Sequence, residues 1–242
     1  MDIVHQMHFH YAEADVSAAS LLKTGANMQP GDIRRCDVSK VYPYNNTLYT
    51  LEMTGAQLKS ALEWSTSFYR QYQPGDLTIG FVENSLLYNL YQFEGITYAV
   101  NIANEAGKRI EGLAWPDGTP VADNDTFVLA TTNYFATSSL LSPGSVFDEG
   151  EALPRLKDID VRGDIGGIRE LLVDYISNVK GGQIEPEVNG NWKLVGNDWD
   201  SAMHERAVQL LAEGKLDLKD PEQERDLVTG VITEADLAAV TG

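Results

Sequence analysis

His8 and His10 stand two residues apart, and on a strand that spacing turns both imidazoles to one face, as a metal pair requires. No third ligand cluster at metal spacing accompanies them. Zinc sites take three or four protein ligands, so the pair reads as surface or half-buried histidines. Asp158-Ile-Asp160-Val-Arg-Gly163-Asp164 begins like a calcium loop but lacks the third early oxygen ligand and the closing Glu, and it reads as a solvated turn. Gly163-Asp-Ile-Gly166-Gly167 offers backbone N–H groups ahead of a helix, where an anion would bind, but the Lys-Ser/Thr of a phosphate loop is missing and a flexible turn is the plainer reading. Serine, histidine and aspartate are all present, yet no Gly-x-Ser-x-Gly elbow places a nucleophile. The residues therefore show no catalytic centre. Binding is the chemistry they support better. A flat aromatic ligand has two π-faces and a polar edge, and a site for one needs two aromatic planes with amide donors and acceptors.

The elements that would position such planes follow from patterning. After the Pro30-Gly31-Asp32 turn the chain reads as a short strand, a tight Pro43-Tyr44-Asn45-Asn46 corner, a second strand over Thr47–Met53 and a helix. In the second strand Leu48, Thr50 and Glu52 face one side and Tyr49, Leu51 and Met53 the other. Thr54 is the N-cap of the helix, which carries Leu58, Ala61 and Leu62. Residues 66–82 turn at Pro74-Gly75 and re-enter extended structure. Residues 86–101 alternate toward Ile96–Asn101, Arg109–Trp115 is a further strand, and Asp125–Thr132 is an apolar buried one. Ser138–Pro154 is a loop. From Gly166, Ile168, Leu171, Leu172, Tyr175, Ile176 and Val179 recur at helical spacing and stop at Gly181-Gly182. Residues 1–11 fit the end of a helix or a strand. Clustered strands with irregular helices predict an α+β fold. Residues 1–195 read as one domain and 196–242 as an acidic helical extension.

The 242 residues suffice for one large or two small domains, and 43% apolar content is that of a globular chain. A net charge of −18, from 18 basic against 36 acidic residues, excludes a nucleic acid polymer as partner and opposes anionic membranes. No apolar run approaches the roughly 20 residues of a membrane span, so no membrane insertion is expected. Cys36 is the single cysteine, so no intrachain disulfide forms. Met1-Asp-Ile-Val-His5 has neither the basic nor the apolar region of a signal peptide.

Four stretches in order carry a resemblance: Gly31-Asp-Ile with the Pro43–Asn46 corner and Met53-Thr-Gly-x-x-Leu-Lys-x-x-Leu-Glu63; Tyr88-Asn89 running to Gly95-Ile-Thr-Tyr98; Ala130-Thr-Thr-Asn-Tyr134; and Glu185-Pro-Glu-Val-Asn-Gly-Asn-Trp192-Lys. Over residues 10 to 195 the chain resembles the C-terminal domain of the 5′-nucleotidase family, most of all its 2′,3′-cyclic-nucleotide 2′-phosphodiesterase/3′-nucleotidase branch. The resemblance implies a layered α/β/β/α domain that recognises a nucleotide or nucleoside. It implies a nucleobase sandwich between Tyr44 and Tyr134, with Asn46 and Asn133 beside them and Asn46 the one toward the base edge. It implies an N-terminal metallophosphoesterase domain as partner, holding a divalent dimetal centre; no cofactor is expected on these residues. It also implies export to the periplasm or cell surface. Phe135-Ala-Thr-Ser-Ser139 replaces the family's Gly-Gly turn and sugar ligand, and Lys23–Met28 replaces the Gly-Gly-x-Arg of the 5′-nucleotidase branch. The expected role is the specificity domain of a two-domain nucleotide phosphoesterase, inactive by itself. The alternative is a free-standing nucleoside- or nucleotide-binding or interaction module.

Overall fold

The apolar run at Thr126–Thr132 occupies the middle of a five-stranded sheet, where both of its faces are covered. The computed structural model describes residues 1–23, 25, 28–218 and 227–241. In chain order the elements are α1 (Asp2–Ala12), β1 (Val16–Ser20), α2 (Arg35–Val41), β2 (Leu48–Thr54), α3 (Gly55–Thr66), β3 (Tyr91–Glu94), β4 (Thr97–Asn101), β5 (Ile110–Ala114), β6 (Thr126–Thr132), α4 (Asn133–Phe135), β7 (Arg155–Asp158), α5 (Ile168–Asp174), β8 (Trp192–Val195), α6 (Ser201–Ala212) and α7 (Glu234–Thr241). The large sheet has the order β3-β1-β6-β2-β7 and the small one β5-β4-β8. β6 runs parallel to β1 and antiparallel to β2, with Leu48 opposite Thr132 and Thr54 opposite Thr126.

Strand alternation assigns each side chain to a layer. On one face of the large sheet Ala19, Leu48 and Ala130 meet α1, α2 and α5 through Val4, Met7, Val38, Leu171 and Leu172. On the other, Val16, Leu51, Met53 and Leu129 meet α3 and the small sheet through Leu58, Leu62, Tyr98 and Val100. The fold is α+β, as the patterning predicts, and layered, as the resemblance implies. The Thr54 cap is present: its hydroxyl accepts the Gln57 N–H at 3.2 Å while the Gln57 side chain accepts the Thr54 N–H at 2.9 Å. At the far end of α3 the buried Arg109 donates to the carbonyls of Thr66 and Tyr69, and Glu63 accepts the N–H groups of Arg109 and Ile110. The last turn of the helix is thereby tied to the small sheet.

Several local readings change. The short strand expected before Pro43 is helix α2. Asp37 accepts the Arg34 N–H at 3.0 Å and pairs with Lys40 at 2.8 Å, and Val38 alone is buried, so the segment follows helical capping and spacing, with no alternation of two. Asp2–Ala12 form α1, with Met1 at its N-cap, where an i, i+2 spacing separates side chains; His8 is buried and His10 exposed. Residues 86–101 divide into a short turn and two strands in different sheets, β3 in the large one and β4 in the small one, with the chain turning between them at Gly95, whose φ of 89° suits glycine and whose Cα is pressed on the Asp15 carbonyl. Residues 66–82 make only isolated bridges, because their backbone pairs with the C-terminal part of the chain: Leu77 N–H donates to Ile232 and Phe81 N–H to Val228. There α6 and α7 form a separate cluster around Leu77, covering that loop. α5 continues into a wider π-type turn over Tyr175–Val179. Thr24, Ala26 and Asn27 of the Lys23–Met28 stretch, and residues 219–226 of the extension, lie outside the described residues. No described helix is long and apolar enough to cross a membrane.

Beneath α1, the Nδ1 atoms of His5 and His8 both lie 2.8 Å from the Ser17 hydroxyl, all three residues being buried. With burial holding both imidazoles neutral, one hydroxyl can donate to one ring and accept from the other, the two rings then being of opposite tautomer. Burial holds His5 well below its ordinary 6.5 and pushes His8 down to about 3. Glu94, opposite Ser17 on β3, is pushed up to about 7 by burial and by Asp2. The signs differ. The histidines take up protons on unfolding below their unfolded value, so acidification destabilises the fold; Glu94 holds a proton in the fold that it releases on unfolding, which opposes the effect. We expect the urea midpoint to fall from about pH 7 to about pH 5, more steeply in Glu94→Gln and less so in a His5→Gln/His8→Gln variant. A flat profile in Glu94→Gln would exclude the neutral pair.

Candidate functional site

The C-terminal ends of the parallel strands β1 and β6 open into a cavity of about 280 Å³. Ser20 and Thr132 end those two strands, Tyr91 begins β3 beside them, and together they form the floor. Tyr42, Tyr44 and Asn46 come from the corner between α2 and β2, Tyr134 from α4, and Tyr88 from the short turn ahead of β3. The lining is five tyrosines with Ser20, Thr132, Asn46 and the apolar Ala19 and Leu22, and it includes no charged side chain.

The rings divide by exposure. Tyr42 and Tyr91 are nearly covered, at 4% and 6%, whereas Tyr44 and Tyr134 stand 49% and 44% exposed at the mouth. Half-exposed aromatic rings beside a cavity are planes with room for a partner. Burial pushes the phenols of Tyr42 and Tyr91 well above their ordinary range, so both remain protonated donors. The Tyr42 hydroxyl also accepts the Asn46 Nδ2–H at 3.0 Å, which turns that amide into the cavity wall. Tyr88 is raised by its burial and by the hydroxyls of Tyr134 and Tyr44, and its ring meets Tyr134 edge to face at 5.9 Å.

The floor rests on the core. Tyr91 stacks on Phe135 with centroids 3.6 Å apart, and Phe135 on Trp64 at 5.9 Å. Phe135 is fully buried and adjacent to Tyr134, so one short turn sends one ring into the core and the next to the cavity mouth.

The structure brings Tyr44, Asn46 and Tyr134 together on one lining and leaves Asn133 off it. The Asn133 Oδ1 accepts the Thr47 N–H at 3.1 Å, while the Asn133 N–H donates to the Thr47 carbonyl at 2.9 Å. The hydroxyls that follow in place of a sugar ligand serve the backbone: Thr137 donates to the Asn133 carbonyl and Ser138 to that of Tyr134. Tyr88 and Tyr91 also line the cavity, as do Tyr42, Ser20 and Thr132. The period-two burial of Tyr91 with Phe93 is visible in sequence, but the convergence of strand ends that exposes its hydroxyl is not. The anion reading of Gly163–Gly167 finds three of its N–H groups engaged, Gly163 with Asp160, and Ile165 and Gly166 with Arg162. Among the described residues no three His, Cys, Asp or Glu side chains gather as a metal site would need.

Comparison with known proteins adds the lineage. A sequence model of the 5′-nucleotidase C-terminal domain matches residues 1–139. The trifunctional nucleotide phosphoesterase protein of Bacillus subtilis is 30% identical over 69% of this chain and 12% of its own length. The 2′,3′-cyclic-nucleotide 2′-phosphodiesterase/3′-nucleotidase of Haemophilus influenzae is 28% identical over 73% of this chain and 29% of its own. The chain thus spans less than a third of these relatives. The fold is shared with a candidate 5′-nucleotidase of Staphylococcus aureus, solved with α-ketoglutarate, at a TM-score of 0.62 and 23% identity over 79% of this chain and 35% of that one. It is shared also with the NAD nucleotidase of Haemophilus influenzae at a TM-score of 0.58 and 19% identity over 79% and 32%.

Removing the support of the floor tests this arrangement. Phe135→Ala leaves a cavity between Tyr91 and Trp64 and is expected to lower stability by about 3–5 kcal/mol in denaturant unfolding. A cost below about 1 kcal/mol would show that the stack is not tightly packed.

Proposed function

The chain belongs to the 5′-nucleotidase C-terminal domain family, and from that premise we propose that it is the nucleobase-binding specificity domain of a nucleotide phosphoesterase. The observation that carries this reading is the pair of half-exposed rings, Tyr44 and Tyr134, at the mouth of an uncharged, hydroxyl-lined cavity. A flat heteroaromatic base offers π-faces to those rings and a polar edge to the wall formed by Asn46 and Tyr42. Phenol and alcohol hydroxyls act as donors or acceptors as required, so the lining suits a neutral ring that carries both. Within a chain of net charge −18, an uncharged lining receives the base while the phosphate ester stays at the mouth.

The relatives named above extend well beyond the length of this chain, which supports a second domain as the hydrolytic partner. The described residues do not fit a divalent metal pair, so no bond-breaking step is derived from them. In this reading the chain binds and orients the base, and an N-terminal metallophosphoesterase domain with two divalent ions performs hydrolysis of 2′,3′-cyclic, 3′- or 5′-nucleotides.

Calorimetric titration of adenosine and of 3′-AMP into the purified chain is the direct test. We expect weak binding that Tyr44→Ala and Tyr134→Ala each reduce by about 1–3 kcal/mol, the usual contribution of an aromatic stacking partner. Binding indifferent to both substitutions would remove the base sandwich. Metal-dependent turnover of 2′,3′-cyclic AMP by this chain alone would contradict the division of labour.

A further inference from the structure

Tyr44 lies in a corner that is exposed at Pro43, Tyr44 and Asn45, a segment with little packing of its own to fix a ring in place. Three sets of contacts from outside the corner hold it. On one side, the Arg169 guanidinium reaches across both neighbours of Tyr44, donating from Nη2 to the Asn45 Oδ1 at 2.5 Å and from Nη1 to the Pro43 carbonyl at 3.5 Å. Beside it, the Ile168 N–H donates to the Asn46 carbonyl at 2.8 Å. A Cβ on Gly167 would stand 2.6 Å from that carbonyl oxygen, so glycine is what lets α5 approach. On the other side, Thr47 and Asn133 exchange two hydrogen bonds, one residue from Tyr134.

We propose that Asn133 and Arg169 are positioning residues that fix the Tyr44 corner relative to Tyr134, and that neither touches the ligand. The proposal rests on the base-sandwich reading for its functional consequence, but its geometric content stands apart from any ligand. Asn133 joins the two ring-bearing segments directly, because its own backbone leads into Tyr134 while its side chain holds the strand that leads out of the corner. Arg169 constrains the corner from α5, whose side chains Leu171 and Leu172 are anchored in the core against α1 and α2. A planar guanidinium spans two acceptors flanking Tyr44, which a lysine ammonium, a single point donor, does not do. Asn133 acts through its oxygen alone in the clasp, so aspartate retains the acceptor.

Two readouts on the full chain separate the possibilities. Amide hydrogen exchange is measured first, without ligand. Asn133→Ala is expected to speed exchange at Thr47 by about ten-fold or more with little change in the strand interiors of β2 and β6, and Asn133→Asp to restore protection. Unchanged exchange at Thr47, or loss of protection spread evenly over the sheet, would overturn the positioning role. Adenosine affinity is measured second. Asn133→Ala and Arg169→Lys are expected to weaken it roughly five- to ten-fold, through loss of preorganisation, with Asn133→Asp close to the parent. Affinity lost in Asn133→Asp as fully as in Asn133→Ala would instead make the amide a ligand contact and overturn the proposal. If the parent chain binds no adenosine, the base-sandwich reading falls, while the exchange result still decides whether the clasp holds the corner.

Discussion

The antiparallel pairing of β2 with β6 is the constraint from which the rest of the molecule takes its geometry. Its register runs unbroken from Thr54 opposite Thr126 to Leu48 opposite Thr132. A slip of one residue would send Leu51 and Met53 toward the helices and Leu48 and Thr50 toward the small sheet, exchanging the contents of two cores. The same register decides where the chain leaves the sheet. β2 begins, and β6 ends, at one edge, so the corner before the first and the short helix after the second are neighbours there. Thr47 and Asn133 continue the ladder by one further rung, with a side-chain oxygen in place of a backbone one. The candidate site is thus a consequence of strand pairing, and its two exposed rings are close because two strand ends are.

Much of this was legible in the chain. The apolar run of β6, the alternation of β2, the Thr54 cap and the helical spacing of α5 are all local signals, each set by a few adjacent residues. The rings Tyr44 and Tyr134 and the amide of Asn46 were named on resemblance, and they do lie on one lining. What escaped was non-local or turned on polar detail. The helix at Arg35–Val41 depends on Asp37 capping against Arg34 more than on apolar periodicity, which in so short a segment buries one residue. Asn133 was placed beside the rings on the resemblance, and its bond to Thr47 spans 86 positions that no pattern connects. The cavity floor draws on three strand ends at once, which no local pattern around Tyr91 connects.

The chemistry of the lining follows from where it sits. Strand ends at a sheet edge leave hydroxyl residues such as Ser20 and Thr132 with one side toward the core and one toward the opening, and buried hydroxyls need partners. Tyr91 and Tyr42 supply phenols that burial keeps protonated. Such a surface recognises shape and neutral polarity without requiring an ion. That matters in a chain with twice as many acidic as basic residues, where a site dependent on local positive charge would work against the surrounding field.

Tyr134 and Phe135 set a limit on how such a site can change. The two rings are adjacent on one short turn, one 44% exposed and the other fully buried against Tyr91 and Trp64. A shift of that turn large enough to move Tyr134 by an ångström also moves Phe135 within a stack packed at 3.6 Å, where close-packed interiors resist displacement. Residues 43–46 of the Tyr44 corner place no ring in the core; beyond the buried Tyr42 that precedes them, they are held by hydrogen bonds to Tyr42, Arg169 and Ile168 and, through Thr47, to Asn133, bonds that are individually weaker and exchangeable. The wall bearing Tyr134 is therefore the fixed plate and the corner bearing Tyr44 the adjustable one. Under the proposed base-binding reading, adaptation to a different base would act first on residues 43–46 and on the side chains that hold them.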